Sequence, residues 1–111
     1  MKEVINYEGY SIPTMKSTIS KLRHEKIEQE LRVAQETIEF CMNHNMTETE
    51  IPFEDTNVGF ITVEDLVNKV QDVLRQAGYQ VTRNANVTYV TDFKGEIFCP
   101  FTLTIKWRWE E

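Results

Sequence analysis

The chain holds 111 residues with a formal net charge of −6, 41% apolar and 27% charged side chains, a mixture that fits one domain and excludes two independent cores, low-complexity disorder and collagen-like repeats. Eighteen Asp and Glu against twelve Lys and Arg give the wrong sign for holding a phosphate backbone by counterion release, so nucleic-acid binding is not expected. No run approaches the ~20 apolar residues of a bilayer span and the first residues lack an apolar leader core, which predicts a cytoplasmic protein without membrane contact.

In chain order, residues 2–13 alternate loosely, with Val4, Tyr7, Tyr10 and Ile12 around Glu8-Gly9, and the glycine supplies the positive φ of a tight reversal; the pattern predicts a short hairpin. Pro13 then removes a donor, and Thr14 or Ser17 can cap a following helix. From Ser17 to Asn43 there is neither Gly nor Pro, and Ile27, Leu31, Ala34, Ile38 and Cys41 recur at steps of four, three, four and three. That is a heptad seam on a long helix, 17–43.

Such a helix spans ~40 Å, while a globule of this length is only ~34 Å across, so the helix overhangs its own domain. An overhanging apolar seam needs a cover, and a second copy related by a twofold axis is the simplest one. The expectation is a homo-oligomer, a dimer favoured, joined through Ile27, Leu31, Ala34 and Ile38. The competing reading lays the seam across the chain's own sheet.

Residues 44–60 read as a connection longer than the ~4–6 residues usual in a compact domain, and long ordered loops often carry partner contacts. It mixes Glu48, Glu50, Glu54 and Asp55 with Ile51, Phe53 and Phe60. Ile51, Phe53, Glu54, Asp55 and Phe60 are therefore the candidate partner-binding residues, and the carboxylates from Glu48 to Asp55 raise the alternative of a phosphate-track mimic that occupies a basic groove on another protein.

Thr62-Val63-Glu64-Asp65 reads as a capping box. Val63, Leu66, Val67, Val70, Val73, Leu74 and Ala77 follow at helical spacing, with Gly78 placed to close the helix. So much valine lowers intrinsic helix preference, so burial must hold this segment, 63–77, together. After Gly78 the period becomes two. Tyr79 and Val81 open one strand, Asn84 to Asn86 suggest a turn or bulge, and Asp92-Phe93-Lys94-Gly95 marks a reversal. In the last run Ile97, Cys99, Phe101, Leu103, Ile105, Trp107 and Trp109 share one parity, and Thr102, Thr104, Lys106 and Arg108 the other. One face meets a core and one meets water; Pro100, which cannot donate to a ladder, calls for an edge or a bulge there. The fold class is α+β: an antiparallel sheet of three to five strands, with the Val-rich helix on its apolar face and the long helix beside it or in a dimer seam.

Chemistry-bearing patterns are sparse. The four glycines are scattered at 9, 59, 78 and 95, and no G-x-S-x-G, H-E-x-x-H, phosphate loop or dinucleotide fingerprint occurs. Cys41 and His44 would be neighbours on a helix, and with Cys99 or His24 they could contribute to a zinc site, but two donors are too few and Cys41 falls on the apolar seam. Both cysteines read as buried reduced thiols. Lys106-Trp107-Arg108-Trp109 imitates a single-strand stacking platform, yet rings and cations fall on opposite faces. The expectation is no enzyme, no metal and no cofactor.

A brief acidic chain with no cofactor motif and a helix followed by a hairpin resembles, in composition and order of elements, the small α+β accessory proteins of bacteriophages and mobile elements. That resemblance implies a non-enzymatic protein that binds and modulates a host protein, or a minor virion component; it carries no site residues with it. The reading from a different class is a small-molecule or nucleotide-binding protein with a pocket between subunits, using Tyr7, Tyr10, Tyr89 or Arg83.

Overall fold

The computed structural model describes residues 3–55, 58–91, 93 and 95–108. Among the described residues seven elements follow one another: β1 (Val4–Tyr7), β2 (Tyr10–Pro13), α1 (Met15–Asn43), β3 (Glu48–Phe53), α2 (Val63–Gln76), β4 (Gln80–Thr91) and β5 (Gly95–Lys106). The fold is α+β, with the strands divided between a two-stranded antiparallel sheet, β1-β2, and a three-stranded antiparallel sheet in the order β3-β5-β4. Among the described residues no helix is long and apolar enough to cross a membrane.

The central strand β5 sets the body's geometry. Its register puts Ile51, Phe53, Val81, Phe101, Leu103 and Ile105 on one face, and α1 and α2 pack there over a core that includes Ala34, Ile38, Leu66, Val67, Val70 and Leu74. Leu103, Ile105, Val67 and Val70 are fully covered. Where the three strands overlap the opposite face is polar, although Thr102 there is fully buried and Phe98 and Val90 stand exposed further along: Asn84 Nδ2 donates to Thr104 Oγ1 at 3.1 Å, Thr104 Oγ1 donates to Glu50 Oε2 at 3.3 Å, and Lys106 lies 3.9 Å from Glu48. This is the alternation that an antiparallel sheet with one wet side imposes.

Pro100 sits where β5 has β4 as a neighbour but has run past the end of β3, whose last pair is Phe53 with Phe101. The missing donor is thus tolerated at a locally open edge. Across from it, Asn86 takes a left-handed φ of 55°, yet the register is the same on both sides of that point. Only Asn86 therefore drops out of the pairing, without turning the chain, because Asn84 and Ala85 before it and Val87 after it keep one alignment with β5.

Both helices begin on a threonine: Thr14 Oγ1 accepts from the Ser17 amide at 3.2 Å and Thr62 Oγ1 from the Asp65 amide at 3.1 Å. Both end on a left-handed residue, Asn45 (φ 58°) and Gly78 (φ 101°). At each end the amide two residues past the cap reaches back to the helix, Met46 to Cys41 O at 2.9 Å and Tyr79 to Leu74 O at 3.2 Å, closing orphan carbonyls.

Candidate interaction surface

The segment 44–60 is not a free loop: Glu48–Phe53 forms an edge strand on β5. Ile51 and Phe53 consequently lie in the core, each 4% exposed, and are withdrawn from any partner surface. Their parity explains it, since they alternate with Glu48 and Glu50, which face water on the polar side of the sheet. Glu54 and Asp55 are exposed just beyond the strand, while Phe60 is half-buried against the core. The carboxylates from Glu48 to Asp55 do not form one loop track, because Glu48 and Glu50 belong to the sheet's cross-strand network.

The heptad seam of α1 is likewise occupied by its own protomer. Ala34, Ile38 and Cys41 are buried, and Ile27 and Leu31 pack partly against the same core, where β3 and α2 meet the helix. These residues are therefore corrected from a subunit seam to an internal one. The physical reason is β3: a strand in place of a loop supplies the wall that the seam needs.

The overhang remains. At ~1.5 Å per residue α1 is ~43 Å long, and the radius of gyration is 17.8 Å against ~13 Å for a compact globule of this length. The principal extents are 58 × 40 × 21 Å. Only the C-terminal half of α1 is buried on the body; about a third of the way along the helix the Arg23 Nε donates to the Phe60 carbonyl of the crossover before α2. Beyond that point the first turns of α1 carry the β1-β2 hairpin outward, and every residue of both strands is exposed.

That hairpin is amphipathic. Ile5 pairs with Ile12 and Tyr7 with Tyr10, so alternation puts these four on one face, with exposures of 53, 55, 67 and 70%. The other face carries Val4–Pro13 and Asn6–Ser11, where Ser11 Oγ donates to Asn6 Oδ1 at 3.0 Å. The turn takes positive φ at Glu8 (44°) and Gly9 (85°), the twist-matched geometry of two-residue hairpins.

A second exposed stripe runs along α1. Met15, Leu22, Val33 and Phe40 are exposed by 79, 37, 46 and 60%. Their spacings of seven, eleven and seven residues each return within ~20° of a whole number of turns, so the four lie along one line of the helix. An open cleft of ≈420 Å³ lies at the middle of this stripe, lined by Leu22, Lys26, Gln29, Arg32 and Phe60 among others. Sequence reading picked the seam that the body covers and missed this one; its signal was the recurrence of apolar residues at whole-turn intervals.

The remaining candidates do not converge. Cys41 is buried, whereas His44 is exposed, stacked on Phe40 with ring centroids 4.2 Å apart and its Nδ1 2.8 Å from the Phe40 carbonyl. Among the described residues no group of three or more His, Cys, Asp or Glu side chains is placed to hold a metal ion. Cys99 is a buried free thiol whose pKa is raised, first by burial and then by the nearby Glu54 carboxylate. Trp107 is 8% exposed; its Nε1 donates to the Met46 carbonyl at 3.0 Å and its ring meets Tyr79 edge-on, so it is no stacking platform. Trp109 and the Tyr89 side chain lie outside the described residues. Tyr7 and Tyr10 stand on the arm, while Arg83 belongs to the body, where its guanidinium lies over Phe101 at 5.4 Å and donates to Asn68 of α2. No family model, curated protein or solved structure matches this chain.

Proposed function

We propose that this chain is a non-enzymatic protein-interaction module that works self-associated, a homodimer in the simplest case, with the projecting arm as its contact surface. One observation carries the reading: Ile5, Tyr7, Tyr10 and Ile12 form an apolar face on a two-stranded sheet whose residues are all exposed in the protomer. A lone two-stranded hairpin is marginal in water, and a cluster of tyrosines and isoleucines gains most of its stability from being covered. Contact with another molecule supplies that cover.

The acidic balance fits a role in engaging and modulating another protein, as the resemblance to phage-type accessory proteins implies, and the two buried thiols suit a reducing, cytoplasmic setting. Sedimentation velocity over a concentration series up to tens of micromolar tests the reading. A dimer is expected; a monomer throughout overturns it.

A further inference from the structure

We infer that two copies pair antiparallel along α1, through Met15, Leu22, Val33 and Phe40, about a twofold axis between Ile27 and Glu28. The inference rests on the self-association proposed above and specifies how it is built. A twofold interface requires that when one residue meets another, the reverse contact also holds. The spacing of seven, eleven and seven reads the same in both directions, so an antiparallel second copy sets Met15 against Phe40 and Leu22 against Val33, twice over.

The charges select the same arrangement. The first half of α1 holds Lys16, Lys21, Arg23 and Lys26 against Glu25, and the second half holds Glu28, Glu30, Glu36 and Glu39 against Arg32. This polarity opposes the helix's own dipole, which favours acids at the start and bases at the end; α1 has no acid in its first turn and no base in its last. In an antiparallel pair, each basic half lies beside an acidic half and the two dipoles point in opposite directions, each N-terminus beside the other's C-terminus. A parallel pair would set like against like.

The shape agrees as well. Each arm projects from its own body and, once reversed, runs along the half of the second copy's α1 that carries Val33 and Phe40, with its hairpin carried past Phe40 towards that copy's body. The stripe and the apolar face of the hairpin together offer eight apolar side chains that are 37 to 79% exposed, surface for an interface of the kind to which each partner contributes ~800 Å².

Sedimentation velocity on the full chain tests the pairing, with circular dichroism as the check on folding. Leu22→Glu with Val33→Glu should raise the dimer dissociation constant at least about tenfold. Lys16→Glu with Lys21→Glu, and separately Glu36→Lys with Glu39→Lys, all at exposed positions, should each weaken the dimer, and mixing these two variants should restore it as a heterodimer. A wild-type dimer untouched by Leu22→Glu with Val33→Glu, but lost on changing Ile5, Tyr7, Tyr10 and Ile12 to Ser, overturns the helix pairing and leaves self-association standing. A wild-type monomer removes both. Charge-inverted variants that still dimerise alone, or fail to recombine, overturn the antiparallel order.

Discussion

Helices α1 and α2 share their punctuation, a threonine at the start and a left-handed residue past the end, and differ in almost everything between. The shorter, α2, opens with Glu64 and Asp65 and closes with Arg75, so its charges follow its dipole. Its apolar residues fall on one side and Leu66, Val67, Val70 and Leu74 are buried on the sheet. In α1 the charges run against the dipole, the apolar residues are split between a covered seam and an exposed stripe, and 29 residues hold only three that are fully buried. The first helix is buried on the body only along its second half. The difference teaches that in α1 an electrostatic mismatch and an exposed apolar line occur together, whereas in α2 charge, dipole and burial agree.

The two helices differ most in what they contribute to the core. Leu66→Ala on α2, at 3% exposure, should cost about 2–5 kcal/mol in urea unfolding, while Leu22→Ala on α1 should change the stability of the dilute monomer by about 0.5 kcal/mol or less. Equal losses at the two sites would mean that the arm is as well packed as the body. Capping gives the next largest effect: Thr62→Ala should remove about 1 kcal/mol of global stability. Thr14→Ala should instead accelerate amide exchange only in the first turns of α1, because the segment it caps is not coupled to the core.

The turn of the arm sharpens the contrast from the other side. Glu8 pays for a left-handed φ that asparagine adopts more readily, so Glu8→Asn should stabilise the hairpin by about 0.5–1 kcal/mol, read as slower exchange of the β1-β2 amides with the body unchanged.

The smallest effect concerns pH. The Cys99 thiol is raised above its ordinary value of 9.0 by burial and by Glu54. The folded state therefore keeps its proton where the unfolded chain has lost it, and this contribution is full below pH 9 and declines as pH rises through the alkaline range. Cys99→Ala should flatten the alkaline limb of the stability profile, measured by urea unfolding at neutral and alkaline pH, and the native thiol should resist alkylation at neutral pH. An unchanged alkaline slope would show that the thiol is not linked to folding.

Much of the body was legible in the chain. The change of period after Gly78, the Thr62 cap and the single parity of Leu103, Ile105 and Trp107 are local signals, and each describes an element or face that the structure contains. The strand Glu48–Phe53 was harder, because Pro52 and the nearby carboxylates resemble a loop; its signal was the alternation of Ile51 and Phe53 with acids, and its cause is the free edge of β5. With that strand in place, Ile51 and Phe53 moved from surface to core.

The sequence by itself determined where helices start and stop, where the chain reverses, and which residues share a face, because capping, positive φ and periodicity act over a few neighbours. Tertiary structure alone decided which of α1's two apolar lines would be covered. Both obey helical spacing equally well, and only the position of β3 and α2 buries Ala34 and Ile38 while leaving Leu22, Val33 and Phe40 facing outward. Burial is a property of the surfaces that meet, and those surfaces come from segments far apart in the chain.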